Sequence, residues 1–145
     1  MTAAIAIDER GGSASVEAAI LSIVIGLLIA LAVAGGRLAA AEAGADHAAR
    51  SAARVASLHR GETTAVTAAR EAAAASLAEQ GLRCQALDVA VDTSEFARPI
   101  GSPASVSAAV RCEVTWADLG LPGAPGSRTV ASIFTSPIDQ WRERT

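Results

Sequence analysis

The chain has 145 residues, a net charge of −3 and a pI of about 5.3, and its length suits one domain of modest size. All 12 basic residues are arginines and they form no basic run, so a nucleic-acid-binding surface is excluded. Residues 1–80 contain 27 alanines and no aromatic residue, whereas residues 81–145 contain all four aromatic residues. We therefore expect closely packed helices in the first part and a small β unit with aromatic anchors in the second.

An uncharged apolar run, residues 18–36, follows a polar leader that ends at Gly12. The run has 19 residues, of which ten are Ile, Leu or Val. As a helix it would be about 28 Å long, close to the hydrocarbon thickness of a bilayer. These ten side chains alone favour insertion by roughly 3–6 kcal/mol. We expect a membrane-spanning helix over residues 13–36, with Glu17 at its edge, where a carboxylate needs a partner or an interfacial position.

The first helix is predicted to continue beyond the membrane to about His59, because its apolar stripe goes on without a breaker. Gly44 is its one weak point and costs about 1 kcal/mol relative to Ala. A second helix is predicted over about residues 63–80, and the short connection makes the two helices antiparallel. The predicted contact positions are Leu38, Ala41, Ala45, Ala48, Ala52 and Val55 in the first helix and Ala65, Ala68, Ala69, Ala72 and Leu77 in the second.

After Gly81 the apolar residues alternate, which is typical of strands. Strands are predicted over Cys84–Asp92, Ser105–Trp116 and Thr129–Thr135, the last of them stopped by Pro137. The predicted fold class is α+β, with a long N-terminal helix (a membrane half and a soluble half), a second antiparallel helix and a small three-stranded antiparallel sheet. The chain divides into a leader (1–12), a transmembrane segment (13–36), a soluble helical hairpin (37–80) and a small extracytoplasmic β unit (81–145).

The two cysteines, Cys84 and Cys112, lack the spacing of a zinc or redox motif. A single disulfide outside the cytoplasm is favoured over two free buried thiols. The apolar face is odd-numbered in the first strand and even-numbered in the second, so a regular ladder cannot place Cys84 directly opposite Cys112. A bulge is one solution, and we favour the other, in which Cys84 reaches Cys112 from the segment that enters the first strand.

Both ends of the chain carry a family resemblance. In the stretch GSASVE, Gly12–Glu17, a glutamate is the fifth residue after a glycine that closes a short polar leader. This stretch resembles the processing site of type IV prepilins. With the closing segment Ser127–Arg144, the chain is similar to the TadE-like family of minor pseudopilins from tight-adherence (Tad) pilus systems.

The resemblance implies a non-catalytic subunit of pilus assembly or initiation, and thereby of cell adhesion. It implies cleavage between Gly12 and Ser13 by a prepilin peptidase, and partners among other pilin or pseudopilin subunits and the Tad assembly membrane proteins. It also implies a single pass through the cytoplasmic membrane, with the C-terminal region extracytoplasmic, at the cell surface or in the pilus. Cleavage would create an ammonium group on Ser13, and the Ser13 of a neighbouring subunit could then pair with Glu17.

Small residues recur every four positions in the membrane segment, at Ser22, Gly26, Ala30 and Ala34. Such spacing lets helix backbones approach closely, so we expect this face to pack against other membrane helices.

Two alternatives to the pseudopilin remain open. Small residues at Ala32 and Ala34 also fit a signal peptidase site, and cleavage there would release a secreted soluble binding domain that starts near Gly35. The apolar run also suits a plain single-pass anchor. In addition, Arg37, Arg50 and Arg54 follow the run, and the positive-inside rule alone favours the opposite orientation.

The residues give little support to catalysis or to a bound cofactor. His47 and His59 are twelve residues apart on an amphipathic helix, and we expect both at the surface. Neither a phosphate-binding glycine loop after a strand nor a nucleophile elbow occurs. We therefore expect no catalytic residue, no metal site, no cofactor and no small-molecule substrate.

Overall fold

A computed structural model describes residues 11–141 of the chain. Its elements in chain order are α1 (Gly11–Leu58), α2 (Glu62–Glu79), β1 (Ala86–Asp92), a short 3-10 helix (Ser94–Ala97), β2 (Ala104–Thr115) and β3 (Ser127–Ile138). This confirms the predicted α+β class, with its long first helix and three-stranded antiparallel sheet. The first ten residues of the predicted leader and the last residues of the predicted closing segment, from Arg142, lie outside the described part.

The first helix, α1, is a single helix of 48 residues and therefore about 72 Å long. The second helix, α2, returns alongside it, because Gly44 of α1 faces Gln80 and Leu82 while Ala56 and Ala65 share one core cluster. The antiparallel hairpin is thus as predicted. Its α2 contacts differ in detail: Ala73 and Ser76 are buried, whereas the predicted Ala68 and Ala72 are only half-buried.

The sheet has the order β1-β2-β3, so β2 is central and both of its neighbours are edge strands. Leu87 pairs with Cys112 and Val89 with Val110, which places odd positions of β1 opposite even positions of β2. This register puts both apolar faces on the same side of the sheet. Cys84 lies two residues before β1 and is disulfide-bonded to Cys112, as the favoured solution to the register conflict predicted.

The predicted end of β3 was wrong. Pro137 was expected to stop β3, but the strand runs on to Ile138 and Pro137 pairs with Ser105 of β2. Because β3 is an edge strand, a residue without an N–H group can be accommodated there without interrupting a central ladder.

The core lies between the helical hairpin and one face of the sheet. Alanines supply the helix side, for example Ala48 and Ala52, both 0% exposed, while the sheet supplies branched side chains such as Val106 and Val110. A second cluster nearer the membrane segment joins Ala41 and Ala45 to strand residues, to Leu119 and to the disulfide. Residues 37–80 and 81–141 therefore share one core.

At Gly44 the segment that follows α2 approaches α1 so closely that a larger side chain would not fit. A Cβ atom at this position would lie 2.3 Å from Leu82 Cδ1 and 3.0 Å from Gln80 Oε1, both in the segment that leaves α2. The residue that weakens the isolated helix therefore allows this segment to pack directly against α1.

Candidate functional site: the exposed half of the long helix

The N-terminal half of α1 extends away from the core. Every residue from 15 to 33 is exposed, and its large aliphatic side chains range from 47% exposed at Val24 to 72% at Ile23. Among the described residues, this helix alone is long and apolar enough to cross a membrane by length and composition, with a mean hydropathy of 2.7 over its most apolar window. A helix that leaves such side chains uncovered is suited to lipid or to other helices.

Gly12, Ser13 and Glu17 all lie in the first turns of α1. Glu17 is exposed, and within the described residues it makes no ion pair. Since Ser13 and Glu17 are four residues apart in a helix, they lie on the same face about one turn from each other. The backbone therefore places the predicted new N-terminus about 6 Å along the helix axis from Glu17.

The row of small residues divides into two parts. Ser22, Gly26 and Ala30 are exposed, and a Cβ atom at Gly26 would meet nothing within 4 Å. Ala34, the fourth predicted member, is only 9% exposed. Steps of four residues rotate by about 40° around a helix of 3.6 residues per turn, so the row turns away from the face on which it begins. In this conformation a partner helix can reach the first three positions but not Ala34.

The disulfide ties the entry to β1 to the central strand. Cys84 and Cys112 have their Cα atoms 5.2 Å apart, and Cys112 is fully buried beneath the helices. The bond joins residues separated by 28 positions and packs in the cluster next to the exposed half of α1. It therefore braces the part of the globular unit that lies closest to the apolar run.

Polar contacts fix α1 on the sheet, and these were not predicted. Asp46 accepts hydrogen bonds from Arg50 Nε at 2.9 Å and from Ser132 Oγ of β3 at 3.1 Å. These bonds hold the pKa of the Asp46 carboxyl below its usual value, and the bond from Arg50 has the larger effect. The Arg50 guanidinium also lies 4.8 Å from the centre of the Phe134 ring. The charged residues on the helix thus position β3.

The arginine that ends the apolar run also has an intramolecular role. Arg37 Nη1 donates a hydrogen bond to the Asp118 carbonyl at 3.3 Å, and its side chain lies over Gly120, where a Cβ atom would be 3.3 Å from Arg37 Cδ. Gly120 has a φ of +91°, which favours glycine. Arg37 therefore holds the loop after β2 against the middle of α1, where the apolar run ends.

The two histidines do not come together in a site. His47 Nδ1 is 3.1 Å from Ser76 Oγ and links the two helices, whereas His59 lies just past the end of α1. Within residues 11–141 no group of three His, Cys, Asp or Glu side chains is placed to hold a metal ion.

The structure thus has a helix that could span a membrane, and this helix continues into a disulfide-braced α+β unit. Residues 12–54 match the model of the family described as TadE-like protein. The match confirms the predicted resemblance to the TadE-like family of Tad pilus systems, a pilus-associated structural family, and it covers the exposed half of α1 together with its continuation to Arg54. No curated protein and no solved structure matches the chain.

Proposed function

We propose that this protein is a minor pseudopilin of a Tad-type pilus and acts without catalysis in pilus assembly or initiation. One observation carries the proposal: the family match includes a helix half whose large aliphatic side chains are left uncovered by the rest of residues 11–141. Such a surface is stable in lipid or against other apolar helices. The partners that follow are other pilin or pseudopilin subunits, the Tad assembly proteins and a prepilin peptidase.

The disulfide supports an extracytoplasmic position for the globular unit. Disulfides persist in oxidising compartments and are rare in the cytoplasm. Cys112 is fully buried in the bonded state, so the bond is part of the core of this unit. The protein is then a single-pass protein of the cytoplasmic membrane with its C-terminal region outside, and Arg37 serves the contact with the Asp118 loop in that orientation.

Glu17 gives the proposed assembly its register. Cleavage after Gly12 would leave an α-amino group on Ser13, and this group can carry a positive charge. A lone carboxylate surrounded by hydrocarbon is costly, whereas an ammonium group from a neighbouring subunit at the same depth offsets that cost. Subunits would therefore align where Glu17 meets the Ser13 of a neighbour.

The alternative of a secreted domain has weaker support. Cleavage near Ala34 would cut α1 in the middle of a continuous helix, next to a residue that is already buried. A plain anchor, in turn, requires neither Glu17 nor the small residues at Ser22 and Gly26.

A charge-deleting substitution tests the proposal. Glu17→Gln keeps the size of the side chain and removes its charge, so we expect normal membrane level and normal cleavage but loss of co-purification with partner subunits. Glu42→Gln is the matched control, because Glu42 is also an exposed glutamate of α1 but lies beyond the apolar run. Unchanged co-purification of the Glu17→Gln protein would leave Glu17 as an interfacial charge only and would remove the main support for this mechanism.

A further inference from the structure

A cavity opens where the apolar half of α1 meets the globular unit. Its volume is about 480 Å³, and it is lined from α1 by Arg37 and Ala41 and from the other segments by Arg83, Leu82 and Leu119. Ala41 lies five residues beyond the end of the apolar run at Gly36, which is about 7.5 Å along a helix. The headgroup layer is about 5–8 Å thick on each side of the hydrocarbon core. The cavity therefore lies at the depth of the lipid headgroups when residues 18–36 span the bilayer.

Two of the three charged residues that line this cavity, Arg37 and Arg83, are cationic. Arg83 is exposed, and its guanidinium has no hydrogen-bond or ion-pair partner among residues 11–141. Arg37 uses Nη1 for the Asp118 carbonyl and retains its other N–H donors. The one carboxylate on the lining, that of Asp118, accepts a hydrogen bond from Thr115 Oγ1 at 2.6 Å.

We propose that this cavity binds the phosphate group of a membrane phospholipid, held between Arg37 and Arg83. Guanidinium groups bind phosphate through paired, charge-assisted hydrogen bonds. The apolar part of the lining, Leu82 and Leu119, suits the glycerol and upper acyl portion of the lipid. The inference depends on residues 18–36 entering the bilayer and is independent of the pilus role.

The bound lipid would also fix the globular unit relative to the membrane surface. Arg37 follows the apolar run directly and Arg83 belongs to the segment between α2 and β1, so a phosphate between them would join two separate parts of the unit at one depth.

Lipid retention by the full-length protein tests the proposal. Protein purified in detergent is incubated with equimolar phosphatidylglycerol and diacylglycerol, which differ in the phosphoglycerol headgroup, and the retained lipid is counted by native mass spectrometry. We expect selective retention of phosphatidylglycerol and about a fivefold loss of retention in Arg83→Gln, since one arginine near a lipid surface contributes about 1 kcal/mol. Arg60→Gln is the matched control, because Arg60 is an exposed arginine at the far end of α1.

Arg83→Gln removes no contact within the described chain, so we expect it to keep its fold. A double variant with Arg37→Gln should reduce retention further, provided that circular dichroism and the disulfide are unchanged. Equal loss in Arg60→Gln, or equal retention of diacylglycerol, would overturn the proposal. Displacement of phosphatidylglycerol by millimolar inorganic phosphate would assign the cavity to free phosphate and overturn the lipid assignment.

Discussion

The two halves of α1 have the same helical backbone conformation, but the first half is exposed and the second half is packed in the core. In residues 15–33 the bulky side chains point outward and remain about half exposed or more, while from Ala41 to Ala56 the buried positions are mostly alanines at or near 0% exposure. Large side chains are thus found where the chain supplies no partner, and small ones where it does. The first half is suited to lipid and to other subunits, and the second to its own hairpin and sheet.

The continuity of the helix connects these two environments. Since α1 runs unbroken from Gly11 to Leu58, a proposed position of Glu17 at the membrane would also set the position of the core at Ala45 and Ala52. A subunit that is positioned by its membrane half is thereby also positioned in its globular half.

Loss of the disulfide should have the largest effect on stability. This effect should be confined to the globular unit and should leave the exposed half of α1 unchanged. The chain-entropy estimate for closing a loop of about 29 residues is roughly 3–4 kcal/mol. We expect Cys84→Ser with Cys112→Ser to lower the free energy of unfolding by about this amount, measured in urea with the full-length protein in detergent. Thiol labelling without reductant provides the check on the native protein: two reactive thiols would show that the bond is absent and would favour a cytoplasmic globular unit.

Bulk added to the small-residue face should affect the exposed half alone. Gly26→Leu should weaken association with partner subunits without affecting insertion, because it blocks close approach but adds hydrophobicity. Ala32→Leu is the control, since Ala32 is also exposed but lies about 120° around the helix from Gly26, outside the row of small residues. Crosslinking to partners measures the effect, and equal crosslinking in the two variants would show that this face has no special role.

Substitution of glycine by alanine should have opposite signs in the two halves. At Gly44 the new methyl group would overlap Leu82, so overpacking of about 1–3 kcal/mol outweighs a propensity gain of about 1 kcal/mol and the net effect is modestly destabilising. At Gly36 a Cβ atom meets nothing within 4 Å, so Gly36→Ala should be neutral or slightly stabilising. Thermal unfolding of the two variants measures the contrast. A Gly44→Ala protein as stable as Gly36→Ala would mean that Leu82 simply moves aside.

Low pH should lower the folding stability of the globular unit through three carboxyl groups. Hydrogen bonds hold the pKa of Asp46, Asp92 and Glu95 below the usual values, through Arg50, the Ser94 backbone and Ser105 respectively. The folded state therefore binds fewer protons than the unfolded state, so this stabilisation is present above about pH 5 and is lost as the pH falls through the lowered pKa values. These groups are exposed, so the effect is small.

Thermal unfolding between neutral and acidic pH measures this dependence. Two variants should each lose less stability in acid than the parent protein. Asp46→Asn removes the carboxyl group, and Ser132→Ala removes one of the hydrogen bonds to it. A variant whose stability falls with pH as steeply as that of the parent protein would show that Asp46 does not contribute.

The order of elements and the fold class could be predicted because the hydrophobic period changes clearly, from helical up to Gln80 to alternating after Cys84. The register conflict even indicated that Cys84 lies before β1. The continuation of β3 past Pro137 could not be predicted from the sequence. The cost of a proline in a strand depends on whether the strand is central or at an edge, and that is a property of the whole sheet.

The candidate site was predictable to a similar degree. Glu17 and the small residues are local patterns within one helix, so the sequence alone indicates them, and their roles stay predictions. The contact of Asp46 with Ser132 and the approach of Arg37 to Asp118 join residues more than eighty positions apart, so no local pattern indicates them. The burial of Ala34 is likewise not evident from the spacing of four.

The mature N-terminus tests the central claim most directly, because each account of α1 requires a different one. The protein is isolated from membranes and its first residues are determined by N-terminal sequencing. We predict Ser13, the residue after Gly12, which would leave α1 whole and place an ammonium group one turn from Glu17. A mature protein that begins at Gly35 would identify a secreted domain, and one that begins at Met1 a plain anchor; either result would contradict the pseudopilin account.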